Sequence, residues 1–559
     1  MAPQSFPAMA SLPLYILPAT VGSVLAFQFI WRTVRDHLVS KYASVDDIKG
    51  LSQARPEGSK VRGTAVVCGG SYAGLATARV LHDHFERVVI IEPEEWLLGY
   101  DARRVDSWSQ EGKRARIIQY MSLQTTQPFV LNALRYMFPD WDATCKESDI
   151  RIAPFSLNYS WAGRTPKEPK NFFGGSIPDS MFATRRGLET ALRRRVLDSK
   201  SYPNITQIAG QVTNFIVDEK ASNRVAGVTY RAMGSGPDTR EHHIYAELVV
   251  DCTGTAQSSL KWLSRAGFNT EIPKDTYDPK MRYTTFTFKI TPELAAKLPV
   301  PGGFHRPSGG YIVSLPDAKN DNKGLCIVRN EGNLLSVCPG GWGTTNGPLM
   351  KDVDDIMAHC NSLKLDVPLP KWVLDTIDML HEVEDDMYVS QVNVGPSFLM
   401  KFEKCKGLPT NYVALGDVVC RVNPLYGHGF AKALTGATCL NTILNRTRTS
   451  TTLPTTFGND FFKLHANKIV PMWELPILID YGQKSTIPVA GEKKSSTDGL
   501  RWYLSKVIEL SFSDESAFVP TYLAITLLGG ASIDLLHPVL AAKVAWRHLS
   551  GATHASTAV

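Results

Sequence analysis

Residues 64–92 read TAVVCGGSYAGLATARVLHDHFERVVIIE, and the order of residue types there decides the fold. An apolar strand around Val66 and Val67 runs into a glycine-rich turn and an amphipathic helix, and a second strand, Val88 to Ile91, ends in the acid Glu92. The turn Gly69-Gly70-Ser71-Tyr72-Ala73-Gly74 fits G-x-G-x-x-G with Ser71 at the second glycine. Gly69 permits the tight turn, Gly74 lets the helix approach the strand, and the free N–H groups of the first helical turn suit a pyrophosphate. Glu92 stands about 20 residues on, where a carboxylate reaches a ribose hydroxyl. The unit predicts a Rossmann-type α/β sheet that holds an adenine dinucleotide.

The chain has 559 residues, more than one core normally supports, so two or more domains are expected. Its net charge of +6 is spread without a basic block or an aromatic-interleaved stripe, which argues against nucleic acid as a partner. Nine cysteines lack C-x-x-C pairs and metal-ligand spacing, so no metal site and no disulfide framework is indicated. They read as free thiols of a reducing compartment.

No charged side chain precedes Arg32, and Leu12 to Trp31 is about long enough to cross a bilayer. Without a basic leader or a small-residue cleavage site, residues 1–42 read as a retained single-pass anchor. Arg32, Arg35 and Lys41 follow it, which leaves the catalytic body cytosolic, at the endoplasmic reticulum, and the sequons at Asn158, Asn204 and Asn445 unused. Pro13, Pro18, Thr20, Ser23 and Gln28 weaken the span, and an interfacial helix is the alternative. Residues 43–60 are polar with Pro56 and Gly58 and read as a linker.

Three later segments narrow the chemistry. Thr184-Arg185-Arg186-Gly187-Leu188-Glu189 starts a helix with a threonine cap and an arginine placed to meet an anion. Glu247 to Asp251 is a strand that breaks at Thr253-Gly254 before a helix near Gln257. Tyr412 to Asp417 is a strand delivering Gly416-Asp417, followed by Asn423-Pro424-Leu425-Tyr426-Gly427-His428-Gly429-Phe430 and a long helix. Asp417 can accept hydrogen bonds from sugar or ribityl hydroxyls, and the amides from Gly427 to Phe430 offer positive charge to a reduced ring.

The motifs GGSYAGL, TRRGLE, LVVDCTG and ALGDVVC with NPLYGHG, over about residues 61–440, resemble the flavin-dependent class A monooxygenases of the aromatic hydroxylase and squalene epoxidase type, in a branch of secondary-metabolite oxygenases. The resemblance implies FAD as cofactor and a glutathione-reductase-like arrangement. FAD-binding segments at 61–275 and 401–450 would enclose a β-sheet substrate domain at 276–400, with a helical C-terminal region at 451–559. By position, Gly69, Ser71, Gly74 and Glu92 would hold the adenosine half, Arg114 and Gln119 of RARIIQ would stand beside the flavin, and Arg185 would reach the pyrophosphate and ribityl chain. Gly416, Asp417, Gly427 and Gly429 complete the implied FAD contacts. The family's Asp-Gly turn, associated with NAD(P)H handling, is Thr253-Gly254 here, and His428 stands where the branch often has glutamine.

The resemblance implies insertion of oxygen from O2 into a hydrophobic small molecule, a terpenoid, polyketide or prenylated aromatic, with NADPH or NADH as electron donor or a reductase partner in its place. Such chemistry needs a dry pocket and no acid–base triad, so no catalytic side chain is assigned. Phe286, Phe288, Trp342 and Tyr426 are candidate pocket walls, and the strand-like region from Tyr283 to Asp386 a candidate roof. Phe518 to Ile533, broken by Gly529-Gly530, is a poor membrane span and reads as a helical cap or membrane-facing lid. Two alternatives keep the fold: a reductase or isomerase that never activates oxygen, and a halogenase, whose W-x-W-x-I-P signature is absent.

Overall fold

The computed structural model describes residues 16–56, 58–234 and 240–550, with side chains from residue 22. Eight helices frame the account: α1 (Ile16–Tyr42), α2 (Tyr72–His82), α3 (Arg185–Val196), α4 (His428–Arg446), α5 (Phe457–Asp480), α6 (Asp498–Ser511), α7 (Glu515–Thr526) and α8 (Pro538–Leu549).

The segment that opens the argument folds as read. Val61–Cys68 and Phe85–Glu92 pair in parallel, Val66 opposite Val89, with α2 crossing between them. They sit in a seven-stranded sheet ordered Tyr412–Ala414, Leu248–Asp251, Val61–Cys68, Phe85–Glu92, Ile205–Val217, Val225–Ala232, Glu241–Tyr245. The first five strands are mutually parallel and the last two extend the sheet as an antiparallel hairpin. Polar–apolar alternation is missing from the central strands because both faces are covered: Ala65, Val66, Val67, Val88, Val89, Val249 and Val250 are all buried.

A second, six-stranded sheet runs Tyr388–Asn393, Met281–Lys289, Leu334–Trp342, Lys323–Arg329, Gly310–Leu315, Tyr159–Trp161. Its last strand comes from far upstream and pairs in parallel, Val313 opposite Tyr159. One face packs on the helices Val353–Asn361 and Lys371–Met379, and Phe286, Phe288, Ile327, Leu335 and Val337 fill that contact. Phe286 and Phe288 are therefore core and not pocket walls. Alternation along the strand turns Tyr283 to the opposite face. A small sheet of Lys274–Tyr277, Ser397–Met400 and Cys420–Arg421 joins the two units.

Residues 43–60 are not a free linker. Ile48 and Leu51, on a short turn of 3-10 helix, enter the main core. Buried Arg55 donates to the carbonyls of Leu444 at 3.1 Å and Thr447 at 2.8 Å, which satisfies the otherwise open C-terminal carbonyls of α4. Polar composition with proline hid an apolar pair and one long-range arginine.

Residues 1–15, which include the start of the expected anchor, lie outside the described residues; among those described, no helix is long and apolar enough to cross a membrane. The C-terminal half of α1 is tied down: Lys468 donates to the carbonyls of Ser40 and Ala43, each at 2.6 Å, and Arg35 pairs with Asp534 at 2.8 Å. The C-terminal region is helical, and Phe518 and Tyr522 of α7 pack with Phe155, Leu157 and Val313 of the second unit. All nine cysteines are free.

Candidate functional site

A cavity of about 420 Å³ lies between the carboxyl ends of the parallel strands and the second sheet, the usual ligand position in a parallel α/β sheet. Gly69, Ser71, Glu92, Arg114, Gln119, Arg185, Gly416, Asp417, Gly427 and Gly429 all line it. Gly74 does not, and its neighbours show why it is glycine: a Cβ there would stand 1.8 Å from the Gly69 carbonyl oxygen. Gly69 itself has φ +109°, and a Cβ would fall 2.5 Å from the Cys252 carbonyl oxygen. The two glycines let α2 and the neighbouring strand end close up, so the turn's N–H groups edge the cavity.

At one end of the cavity stands an ionic cluster. Glu92 accepts the Gly70 N–H at 2.8 Å and the Glu94 N–H at 3.2 Å, and lies 3.1 Å from the Arg114 guanidinium. Arg114 also bonds Glu94 and Glu189. Burial opposes its charge, but Glu189, Glu92 and Glu94 outweigh that and hold it above its ordinary range. Buried Glu189 in turn accepts from the Ser71 hydroxyl at 2.8 Å and from Arg193 at 2.9 Å. Burial opposes its ionisation too, and Arg114 and Arg193 bring its carboxyl below the usual value. Arg193 reaches on to the Gly70 carbonyl at 2.7 Å, bracing the glycine turn from beneath. Glu189 was within the quoted TRRGLE but was not singled out; its spacing of four from both Arg185 and Arg193 on one helix was the available signal.

Three helix N-termini meet at this cavity: α2 after Ser71, α3 at Arg185 and α4 at Gly427. Thr184 caps α3, its hydroxyl accepting the Gly187 N–H at 2.9 Å. The starts are locked together. The Tyr72 hydroxyl donates to the Arg185 carbonyl at 2.7 Å, the Tyr72 ring packs 4.1 Å from that of Phe430, and the Arg185 guanidinium lies 5.0 Å above it. Each N-terminus carries roughly half a positive charge, so together with Arg185 they make a strongly anion-attracting corner. The Arg185 Nε is buried with no hydrogen-bond partner.

Asp417 follows the strand Tyr412–Ala414 and accepts from Lys432 of α4 at 2.9 Å, the rest of its carboxylate facing the cavity. Burial opposes ionisation, but Lys432 wins and the carboxyl stays below its usual range. Gly427, with φ +66°, would press a Cβ to 2.7 Å from the Thr125 hydroxyl, whereas at Gly429 nothing stands within 4 Å. His428 is buried at the same helix start but does not line the cavity; burial and Lys432 lower it to about 4, so it is neutral.

The second sheet roofs the other end. Register places Gly324, Gly340, Tyr283 and Val392 in one row across four strands, and Val313, Cys326 and Cys338 in the next. Gln119, Ser122 and Tyr283 all line the cavity. The residues this sheet presents to the cavity carry no charged side chain. Trp342 lines the cavity, and behind it lies a group that sequence reading missed. Asp480, fully buried at the end of α5, accepts from Trp342 Nε1, the Tyr277 hydroxyl and the Tyr426 hydroxyl, each at 2.9 Å, and from Asn423 at 3.1 Å. Burial raises it to about 6 against those four donors. Tyr426, expected as a wall, serves this node and is not among the cavity-lining residues.

No protein-family profile matches the chain. Protein Rv3254 of Mycobacterium tuberculosis (strain ATCC 25618 / H37Rv) is 25% identical over 373 residues, which span 65% of this chain and 69% of that protein. Among solved structures, a flavoprotein/dehydrogenase from Cytophaga hutchinsonii superposes with TM-score 0.55 at 11% identity, covering 88% of this chain and 100% of its own. The flavin-dependent brominase Bmp2 gives 0.52 at 12%, covering 88% and 100%. PqsL of P. aeruginosa, in complex with 2-aminobenzoylacetate, gives 0.50 at 12%, covering 82% and 99%. At these identities the likeness establishes a shared fold: the chain has the Rossmann-type α/β architecture of these flavoproteins.

Proposed function

We propose that this protein is an FAD-dependent monooxygenase that hydroxylates or epoxidises a neutral, hydrophobic small molecule, a terpenoid, polyketide or prenylated aromatic of secondary metabolism, using O2. The observation that carries it is the convergence of three helix N-termini, the buried Arg185 Nε without a hydrogen-bond partner, and Asp417 on one cavity. These residues fit FAD. The glycine turn leaves a cradle that a Cβ would fill, Glu92 stands at the ribose position, and the positive corner suits a pyrophosphate. Gly427 and Gly429 offer the amides of α4 to the ring system. Bound FAD supplies the two-electron chemistry with O2 that inserts one oxygen atom into the substrate.

The chain's own contribution is positioning and exclusion of water. Tyr283, Trp342, Leu315 and Val392 form an uncharged roof, and the Asp480 node fixes Trp342 against the 423–426 loop. Gly324 and Gly340 are glycines because a Cβ would fall 2.8 Å from the Ser314 carbonyl oxygen and 2.7 Å from the Tyr283 Cβ, so the strands of the roof close up beside the cavity. NADPH or NADH is the proposed donor, with a separate reductase as the route suggested by Thr253-Gly254. Halogenation has less support: Lys432, the lysine on the cavity wall, is held by Asp417 and by the Cys420 carbonyl at 2.5 Å.

The test is to purify the protein, identify any extracted flavin by mass, and supply labelled O2 with candidate apolar substrates. A yellow protein that places one labelled oxygen in the product supports the reading. Turnover under strict anaerobiosis replaces it with a reductase or isomerase.

A further inference from the structure

We infer that the exposed apolar faces of α1 and α8 form a single platform that rests in the headgroup region of an anionic membrane. On α1, Leu25, Phe29 and Ile30 are 60%, 72% and 61% exposed; on α8, Trp546 and Leu549 are 76% and 83% exposed. Isolated exposed apolar residues are ordinary, but here two helices from opposite ends of the chain bring theirs together. Trp31 packs edge-on against His537 at 5.0 Å and Phe27 lies 6.3 Å from the same ring. Arg35 holds Asp534 at 2.8 Å and the Gly529 carbonyl at 3.0 Å, which fixes the two ends side by side.

Charge identifies the occupant. α8 carries Lys543, Arg547 and His548 and no acid, and the described part of α1 carries Arg32, Arg35 and Lys41 against Asp36 alone. Two of these cations are matched by acids, Arg35 by Asp534 and Lys543 by Asp514, and the others, Arg32, Lys41 and Arg547, still outnumber Asp36. An apolar face with tryptophan and flanking cations matches anionic headgroups over an acyl boundary. The platform also leads to the cavity. α8 packs through Leu540 and Val544 on Val507 of α6, and Ile508 of α6 with Phe518 and Tyr522 of α7 packs on Leu157 and Val313, which line the cavity. An apolar molecule dissolved in the bilayer then starts one layer of helices from the roof; that last clause rests on the monooxygenase reading, whereas the platform does not.

The experiment is flotation of the full-length protein with phosphatidylcholine vesicles, with and without phosphatidylserine, alongside the double variants Phe29→Ser/Ile30→Ser and Trp546→Ser/Leu549→Ser. These side chains are exposed, so thermal melts stay at the wild-type value. The platform predicts flotation with phosphatidylserine vesicles, release by added salt, and a loss of bound fraction on the order of tenfold in each double variant. Wild-type protein that does not float, or an α8 variant that floats as wild type does, overturns it. So does light scattering in which the variants turn a dimer into a monomer with vesicle binding unchanged, which assigns the surface to a second copy of the chain. A colourless protein that still floats through this surface defeats the flavin reading and leaves the platform standing.

Discussion

The indole N–H of Trp342 donates to the Asp480 carboxylate at 2.9 Å, although 138 residues separate the two in the chain. Through this bond the end of α5 fixes one wall of the cavity, and the same carboxylate fixes Asn423 and Tyr426 of the loop leading into α4. Four neutral donors share one buried anion, so its protonation state governs all of them.

The folded value of Asp480, about 6, lies above its ordinary 3.8. The sign follows from linkage: the folded state holds the proton more tightly, so this group's stabilisation is full below about 4 and is lost as pH rises through 6. Buried His84, His428 and His465, each lowered to about 4 by burial, run the other way and destabilise the fold on acidification below the usual 6.5. Comparing the melts of wild type and Asp480→Asn across pH 4 to 7 isolates the carboxylate. The wild type should lose about 2–3 kcal/mol relative to the variant over that span. Parallel curves refute the assignment.

Glu189 sits between two buried guanidiniums, those of Arg114 and Arg193. Glu189→Gln keeps the shape and removes the charge, leaving two cations underpaired. Urea unfolding should show a loss of about 3–5 kcal/mol, with the flavin content of the surviving folded fraction reduced because Ser71 and the Gly70 carbonyl lose their bracing. A loss below about 1 kcal/mol shows that solvent already screens the cluster.

Gly74→Ala forces a Cβ to 1.8 Å from a main-chain oxygen, a contact that only backbone movement relieves. Little folded protein is expected. Gly429→Ala makes the contrast: nothing lies within 4 Å, and alanine favours the helix by up to about 1 kcal/mol. Its melting temperature should hold or rise while FAD affinity falls, measured by titrating the apoprotein. Unchanged affinity moves the cofactor away from the start of α4.

Arg185→Met removes the cation of the convergent corner while keeping an unbranched side chain there. The protein holds the Arg185 guanidinium loosely, with Ser71 at 3.4 Å, Glu189 at 4.0 Å and the Tyr72 ring at 5.0 Å, so stability should change little. FAD binding should weaken roughly ten- to a hundredfold, the scale of one charge-assisted contact. A stability loss with intact FAD affinity would make Arg185 a structural residue.

The parts legible in the sequence were those encoded over short distances. The turn Gly69 to Gly74, the Thr184 cap and the strand delivering Asp417 each show as a run of residue types whose geometry is local. Asp480 was not legible because its donors lie up to 203 residues away, and a lone aspartate after ILI carries no signal of burial. Phe286 and Phe288 went to the wrong face for a different reason. Phe286 and Phe288 alternate with Thr285 and Thr287, but Thr285 is buried as well, so the polarity of the alternation does not say which parity looks into the cavity. Residues 43–60 misled through composition, since one arginine filling the end of α4 outweighs a polar average.

The strand Tyr159–Trp161 completes the roof from a position upstream of α3. No single cut of the gene lifts the ceiling out whole. A chimaera that exchanges residues 276–400 with a distant cousin would leave a foreign edge beside a native ribbon, so new selectivity should evolve in this scaffold by point changes within the rows facing the ligand and not by swapping modules.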